Sequence, residues 1–380
     1  MKTPEVAGPP PVVFYAPLES LRGVAALLVA LLHVAFTNPI YGWSVVRNGY
    51  LLVDLFFVIS GFVISNAYGA RLRTGRQALE YLWLRLGRIY PLHLATLLLF
   101  SCIGLIRLGA VRAGVQVAPT PDGYTGTEFI ANVLLVHSWM FHDELSFNPP
   151  SWSIGAEFYA YVAFALLALC ALSVRSRLVA ALTISLGMFG FLYWWHPQGI
   201  DVTYRGGQLR CLAGFFLGVV AHLSVKHFEA GARRHPNLLS ALTGIALVIV
   251  AVVLAVGRHG SLDYVFSFAA ASMVGLIALA TPGPLADALV ARPLVWLGRV
   301  SYSIYMLHFL VLRGVSTVAV RVLHLGTIDK GFLHVSPAIG LALLLSYLAI
   351  LLPASQLTFR WIEDPARSAA KSQARRWLSN

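Results

Sequence analysis

An arginine and a histidine lie in one apolar stretch near the start of the chain, and their side chains are suited to binding an anion and accepting a proton. Arg22 and His33 both fall within residues 18–36, which read LESLRGVAALLVALLHVAF. A charged residue at the centre of a membrane helix costs about 2.5–3.5 kcal/mol, so ionisable groups there usually serve a functional site. At about 100° and 1.5 Å per residue, the two side chains lie within about 20° of one helical face and about 16 Å apart along the axis. We therefore expect one helix to present a cation near one membrane surface and an imidazole near the other.

Two carboxylates are expected at the same depth as the imidazole. Asp54 lies near the start of a second apolar run, and Glu157 lies near the start of the run 154–173. An imidazole oriented by a carboxylate is the usual means of making a base that takes a hydroxyl proton near neutral pH. His33, Asp54 and Glu157 are therefore the predicted catalytic residues. The alternative is a buried hydrogen-bonded network that only fixes the packing of the helices.

Several arginines are expected together at the opposite membrane surface, as an inner basic layer. Arg85 and Arg88 are three residues apart, so they are neighbours on one helical face and suited to binding two oxygens of a phosphate group. Arg22 and Arg299 are expected at the same depth. Two alternatives remain open: juxtamembrane arginines also fix topology and contact lipid headgroups, and Arg22 is placed to form a local pair with Glu19.

Hydroxyl and imidazole groups in two other apolar runs are further candidates for binding a polar cofactor. Ser60 precedes Gly61 in the sequence DLFFVISGF, and Tyr302 and His308 lie in the run 294–323. Close helix packing at the glycine and hydroxyl hydrogen bonds between membrane helices are the alternative explanations. No spacing typical of metal ligands stands out, and we predict no metal site.

The composition predicts an all-α polytopic membrane helix bundle. Of the 380 residues, 58% are hydrophobic and only 12% are charged. Crossing a bilayer takes about 20 consecutive apolar residues, and such runs predict about ten transmembrane helices. The runs are 18–36, 51–68, 89–108, 154–173, 178–195, 209–225, 238–256, 264–281, 294–323 and 336–360. A shorter run at 128–142 is expected to be re-entrant or interfacial.

The distribution of basic residues predicts that both termini face the cytoplasm. Most of the 28 lysines and arginines fall on the side of the N-terminus when ten spans are drawn, which favours the N-in and C-in topology. The net charge of +12 then reflects topology and attraction to lipid headgroups, with no nucleic-acid partner. We expect a cytoplasmic tail at 1–17, a membrane domain at 18–365 with an external loop at 109–150, and a basic cytoplasmic tail at 366–380.

Six motifs, in this order, resemble the acyltransferase 3 family of bacterial membrane proteins. They are Arg22 and His33 with ten residues between them, DLFFVISG at 54–61, RLGRIYP at 85–91, SWSIGAE at 151–157, SYSIYMLH at 301–308 and EDP at 363–365. Together they extend over nearly all of residues 18–365, so the resemblance concerns the whole membrane domain.

The resemblance implies an acyl-CoA-dependent O-acyltransferase in the bacterial inner membrane. Its substrates would be acyl-CoA, with acetyl-CoA as the expected donor, and a hydroxyl of a sugar in a cell-surface or exported glycan or in a glycosylated metabolite. The membrane lipids are its other expected partners. A transporter or flippase for a polar or glycan substrate is the rival interpretation, because buried charges also line transport pathways.

The resemblance also suggests roles for the candidate residues. Arginines 22, 85 and 88 would bind the acyl-CoA phosphates, and the pantetheine arm would extend toward His33. Ser60, Tyr302 and His308 would contribute to the same cofactor site. The imidazole of His33 would act as general base or would carry the acyl group itself, and the residues do not decide between these routes. Asp54 or Glu157 would orient it, and Trp152 would stack on a sugar ring.

Overall fold

Nearly all of the chain is helical in the structure, a computed structural model that describes residues 13–115, 123–139, 144–170, 173–232, 234–257, 259–279, 284–329 and 331–379. The helices are α1 (Ala16–Leu32), α2 (Ser44–Arg47), α3 (Leu52–Tyr68), α4 (Gly75–Arg112), α5 (Gly126–Val133), α6 (Trp152–Cys170), α7 (Val174–Trp195), α8 (Gly207–Ala232), α9 (Pro236–Val256), α10 (Ser261–Leu279), α11 (Pro284–Leu289), α12 (Arg292–Arg299), α13 (Ser301–Thr317), α14 (Pro337–Thr358) and α15 (Asp364–Ser379). A short antiparallel hairpin, β1 (Thr327–Asp329) and β2 (Phe332–His334), lies between α13 and α14.

Nine helical segments among the described residues are long and apolar enough to cross a membrane. They are Gly49–Tyr68, Gly75–Arg112, Pro149–Cys170, Val174–Trp195, Gly207–Ala232, Pro236–Val256, Ser261–Leu279, Ser301–Val322 and Pro337–Trp377. The predicted all-α polytopic bundle is therefore confirmed. The other predicted span corresponds to α1, whose 17 residues rise about 25 Å, slightly less than the ~30 Å hydrocarbon core. The count of ten and the orientation of the termini stay predictions.

The apolar run 294–323 is not one helix. The helix α12 ends at Arg299 and α13 begins at Ser301, with Val300 between them. The reason lies in the packing of α12 across α1, where a Cβ atom at Gly298 would collide with the carbonyl of Glu19. Arg299 is exposed next to this break, and its place in an inner basic layer stays a prediction.

The predicted span 89–108 is part of a much longer helix. The helix α4 has 38 residues and begins at a capping box. The Thr74 hydroxyl oxygen accepts a hydrogen bond from the Gln77 backbone N–H, and the Gln77 side-chain oxygen accepts one from the Thr74 backbone N–H. Its first fourteen residues are too polar to be recognised as membrane-spanning, but the cap and a strongly helix-forming sequence extend it. Arg85 and Arg88 therefore lie well inside a helix and not at its start.

The basic tail expected at 366–380 forms most of a helix that packs on α4. A Cβ atom at Gly87 would collide with Ala370 of α15, and the rings of Trp83 and Trp377 lie 5.2 Å apart. The expected boundary at residue 365 falls inside this helix. The last segment is therefore part of the bundle.

The long connection expected at 109–150 is attached to the bundle through α5. This helix has eight residues, too few to span a membrane, as expected of the run 128–142. The His93 ring bonds to the Asn132 carbonyl at 2.9 Å, and the Tyr90 hydroxyl donates to the Val133 carbonyl at 3.1 Å. Residues 116–122 and 140–143 of this connection lie outside the described residues, as do residues 1–12 of the expected N-terminal tail and Asn380 of the expected C-terminal tail.

The helices α3 and α8 pack backbone to backbone in the core. A Cβ atom at Gly61 would collide with the carbonyl of Phe215, and one at Gly218 would collide with the carbonyl of Val58. Small residues allow membrane helices to pack backbone to backbone. The packing explanation for Gly61 therefore holds, and the contact fixes α3, which carries Asp54 and Ser60.

We expect Gly61→Ala to lower the thermal stability of the protein in detergent, because the added methyl group forces α3 and α8 apart. Overpacking of this kind costs about 1–3 kcal/mol. The matched control is Gly187→Ala in α7, where an added Cβ meets nothing within 4 Å and a helix propensity gain of up to about 1 kcal/mol is expected. Equal melting temperatures for the two variants would contradict the close approach.

Candidate active site

Four arginines gather around one cavity of about 270 Å³ between α1, α3, α4, α6, α13 and α15. They are Arg22, Arg85, Arg88 and Arg367, and we call this space the basic cavity. The first three come from sequence positions up to 66 residues apart and were predicted to bind the same group. Arg367 lies in α15, within the segment expected to be a tail. The described lining holds only two acidic side chains, Glu19 and Glu157, so the cavity attracts anions.

The arginines also have contacts within the protein. The Arg22 guanidinium donates to the Glu19 carboxylate at 3.3 Å, with each side chain about one quarter exposed, so the local pair considered above is present. A pair this exposed contributes about 0–1 kcal/mol, and it leaves most of the guanidinium donors for a ligand. The Arg85 guanidinium donates to the Tyr68 hydroxyl at 3.3 Å and lies over its ring.

Glu157 lies in the basic cavity, and its predicted place beside His33 is corrected. Its carboxylate accepts hydrogen bonds from the Ser60 hydroxyl at 2.5 Å and the Tyr161 hydroxyl at 2.7 Å. The physical reason is depth, because Glu157 is five residues into α6, about 8 Å along the helix from Trp152. Ser60 was predicted to lie at the cofactor site, and it lines this cavity.

His33 packs against His308, and we call these two residues the histidine pair. Their ring centroids lie 4.9 Å apart, and the Phe309 ring contacts His33 at 5.0 Å. His33 is the C-cap of α1, and its backbone N–H donates a hydrogen bond to the Leu31 carbonyl. The Val29 carbonyl at this helix end accepts a hydrogen bond from the His33 Nδ1 at 2.8 Å.

The backbone contacts of the histidine pair fix the position of each ring proton. The His308 Nδ1 lies 2.6 Å from the Tyr305 carbonyl, and the His33 Nδ1 lies 2.8 Å from the Val29 carbonyl. A carbonyl oxygen only accepts, so each Nδ1 must carry the proton, and Nε2 of each neutral ring holds the lone pair. The Nε2 atom of His308 is buried without a hydrogen-bond partner among the described residues. In each ring the nitrogen able to accept a proton is therefore Nε2, and the ring is oriented by a backbone carbonyl rather than by a carboxylate.

An aromatic wall separates the basic cavity from the histidine pair. Tyr305 lines the cavity, its hydroxyl bonds to Ser153 at 2.8 Å, and its ring lies 5.8 Å from His308. The Phe56 ring packs against Tyr305 at 5.8 Å. His33 does not belong to the described lining of the cavity. The basic cavity and the histidine pair thus adjoin through Tyr305.

Asp54 does not orient His33, which corrects the second predicted carboxylate role. Its carboxylate binds the Arg210 guanidinium through Nη2 at 2.8 Å and Nε at 3.1 Å, and Arg210 Nη1 reaches Asp201 at 3.0 Å. The side chains of Asp54 and Arg210 are almost completely buried. One signal in the sequence could have indicated this pair, because a single arginine within the apolar run 209–225 requires a buried partner.

Trp152 is buried, so its predicted stacking on a sugar ring is not supported. The side chain is 5% exposed. Its ring lies 6.1 Å from that of Phe57 and 5.6 Å from the Arg210 guanidinium carbon. Gly207 brings the start of α8 against the same ring. The indole therefore has no open face for a ligand and packs beside the buried ion pair.

The remaining candidates lie in α13. Tyr302 lines the basic cavity, and its hydroxyl donates to the Ile89 carbonyl at 2.5 Å. The neighbouring Ser303 hydroxyl donates to the Glu363 carboxylate, which ties α13 to the turn before α15. His308, predicted at the cofactor site, is instead in the histidine pair. No three His, Cys, Asp or Glu side chains of the described ranges are grouped as metal ligands.

Comparison with known proteins finds one matching family model and several similar relatives, two of which follow. A family model of an acyltransferase domain, acyltransferase 3, matches residues 16–351. The acyltransferase MdmB of Streptomyces mycarofaciens is 29% identical over 347 residues, covering 80% of this chain and 81% of that protein. The peptidoglycan O-acetyltransferase OatA of Listeria monocytogenes is 25% identical over 381 residues, covering 93% of this chain and 56% of that protein. No solved structure matches the chain.

Proposed function

This chain belongs to the acyltransferase 3 family, and we propose that it transfers an acyl group from acyl-CoA to a hydroxyl group of a sugar. It is a multi-pass membrane acyltransferase. The observation that carries the donor proposal is the gathering of four arginines at one cavity. The family membership favours an enzyme over the transporter considered above.

The basic cavity has the chemistry that an acyl-CoA donor requires. Its guanidinium groups supply bidentate donors for phosphate oxygens. Its lining also holds apolar side chains, Val53, Ile64 and Phe14 among them, and these suit the thioester end of the pantetheine arm. Acetyl is the proposed acyl group, because OatA is named an O-acetyltransferase. The phosphates would then lie at the proposed cytoplasmic surface, with both chain termini on that side.

The proposed reaction uses the lone pair on Nε2 of His33. The acceptor hydroxyl gives its proton to Nε2, its oxygen bonds to the thioester carbonyl carbon, and the carbon–sulfur bond breaks. The imidazolium then returns the proton to the departing thiolate, which leaves as free CoA. In the second route Nε2 itself takes the acyl group before the hydroxyl attacks. Both routes require the thioester to pass the wall at Tyr305.

The proposed acceptor is a sugar in a cell-surface or exported glycan or in a glycosylated metabolite. The name of OatA refers to peptidoglycan as the substrate of that protein, which supports a glycan acceptor here. The proposed location is the bacterial inner membrane, where cytoplasmic acyl-CoA and an exported glycan are reached from opposite surfaces. The connection that contains α5 follows the end of α4 and packs against Tyr90 and His93 in the middle of that helix, and we propose that it contributes to acceptor choice.

The test combines a purified protein with a deletion strain. The detergent-solubilised protein should bind and slowly hydrolyse radiolabelled acetyl-CoA without any ion gradient, and mass spectrometry should show one ester missing from the glycans or metabolites of the deletion strain. A protein that binds no acyl-CoA, in a strain whose esters are unchanged, would refute the proposal.

We expect Arg22→Ala to raise the KM for acyl-CoA about tenfold or more with little change in the KM for the acceptor. The reason is the loss of a charge-assisted hydrogen bond, worth about 1.5–3 kcal/mol, to a donor phosphate. The measurement is steady-state transfer at varied concentrations of each substrate. Arg299→Ala is the matched control, because this arginine is exposed outside the cavity. A uniform loss toward both substrates would indicate that Arg22 only stabilises the fold.

A further inference from the structure

A second basic pocket lies on the other side of α3 from the basic cavity. It has a volume of about 110 Å³ and is bounded by the ends of α3, α6 and α8 and by the start of α7. Its cationic side chains are Arg73, Arg177 and Lys226, and none of its described lining residues is acidic. One water occupies about 30 Å³ in the liquid, so this pocket has room for a group of several heavy atoms.

The base of this second basic pocket is formed by an imidazole with an unused nitrogen. His222 is 2% exposed, and its Nδ1 lies 2.8 Å from the Ser65 hydroxyl. Its Nε2 atom is buried without a hydrogen-bond partner among the described residues. A buried polar atom left without a partner costs about 1–3 kcal/mol. A ligand oxygen or hydroxyl that enters the pocket deeply enough to reach this atom would supply the missing partner.

The cationic side chains of this pocket differ in exposure, from a buried one in the wall to exposed ones at the mouth. Arg177 is 8% exposed and donates to the Gly69 carbonyl at the end of α3, which holds its guanidinium in the wall. Arg73 and Lys226 are exposed at the mouth. An anion entering the pocket would therefore meet two solvated charges first and then a buried one, where electrostatic attraction is strongest.

The rest of the wall is apolar. Phe164, Leu167 and Val219 line it, on helices that are long and apolar enough to span the membrane. Basic pockets between transmembrane helices bind the headgroups of anionic lipids. A charged mouth above an apolar wall suits an amphiphile, whose phosphate stays at the membrane surface while its chains run along the helices.

We propose that the second basic pocket binds a phosphate group, carried either by an anionic phospholipid or by a soluble phosphate. The apolar wall favours the lipid. The ligand would hold the start of α7 against the ends of α3 and α8. This binding site is close to the basic cavity but separate from it. This assignment does not depend on the reaction proposed above.

The test measures binding of phosphatidylglycerol, phosphatidylcholine and inorganic phosphate to the full-length protein by native mass spectrometry and thermal shift. We expect phosphatidylglycerol to bind and to stabilise the protein, and phosphatidylcholine to do neither. Arg177→Gln and Lys226→Gln should each weaken this binding by about tenfold. Arg175→Gln is the matched control, because Arg175 is exposed on the same turn of α7 and outside the pocket.

Comparing the three ligands distinguishes the two sources of the phosphate. Inorganic phosphate that binds the wild type and competes with the lipid would assign a soluble ligand, whereas lipid binding without such competition would assign the headgroup. Lys226→Gln keeps the test valid if Arg177→Gln fails to fold, because Lys226 is exposed. Equal binding of all three ligands by the wild type, Lys226→Gln and Arg175→Gln would overturn the proposal.

Discussion

His33→Ala should reduce acyl transfer by about 10²–10⁴-fold while leaving the amount of protein in the membrane near normal. This range is the usual contribution of a positioned general acid or base. The reason is that Nε2 of His33 is the lone-pair nitrogen, because Nδ1 lies 2.8 Å from the Val29 carbonyl and must donate to it. The measurement is transfer of labelled acyl groups by membranes that contain equal amounts of wild type and variant.

The control separates catalysis from helix capping. His33→Asn retains an N–H donor close to the position of Nδ1, so it can keep the bond to Val29, but it has no nitrogen at the position of Nε2. We expect His33→Asn to be as inactive as His33→Ala. His227→Ala, which removes an exposed imidazole, should be fully active. Recovery of activity in His33→Asn would show that His33 only ends α1.

Arg210→Met should lower the free energy of unfolding by about 3–5 kcal/mol, because it leaves the Asp54 carboxylate as an uncompensated buried charge. Arg210 is completely buried and makes three hydrogen bonds to the Asp54 carboxylate. A loss of this size would exhaust much of the stability of a typical domain. The measurement is thermal unfolding in detergent, together with the yield of monodisperse protein.

The double variant Asp54→Leu/Arg210→Met tests whether this pair is structural. Replacing both partners of a buried ion pair by apolar groups is often neutral, so the double variant should regain most of the lost stability and some acyl transfer. A stable double variant without any transfer would restore Asp54 to the catalytic residues. Failure to regain stability would show that Asp201 or Trp152 depends on the guanidinium as well.

The positions of Arg22, Arg85 and Arg88 were predictable from the sequence because they depend on spacing and depth within single helices. Arg85 and Arg88 are three residues apart, and Arg22 lies in the half of α1 toward the same membrane surface, so periodicity and depth were enough. The positions of the carboxylates depend on packing between helices. Asp54 meets a guanidinium 156 residues later, and no local pattern decides which face of α8 turns toward α3.

Depth along a helix was the less reliable guide at the other membrane surface. Glu157 was placed beside His33 because both were expected near the external ends of their helices, yet five residues of α6 carry it into the basic cavity. The break at Val300 was also not predicted, since it falls within the apolar run 294–323 and Gly298 alone does not end a helix. What ends α12 there is its crossing with α1, a tertiary contact.

The packing of α15 on α4 bears on how the protein should be handled in the laboratory. Arg367 reaches the basic cavity from this helix, and Trp377 near its end contacts Trp83. Trimming the last sixteen residues to improve crystallisation would remove a guanidinium from the donor site together with its anchor. An affinity tag joined directly after Asn380 would follow Trp377 by only three residues, so a flexible spacer is advisable for any preparation used in assays.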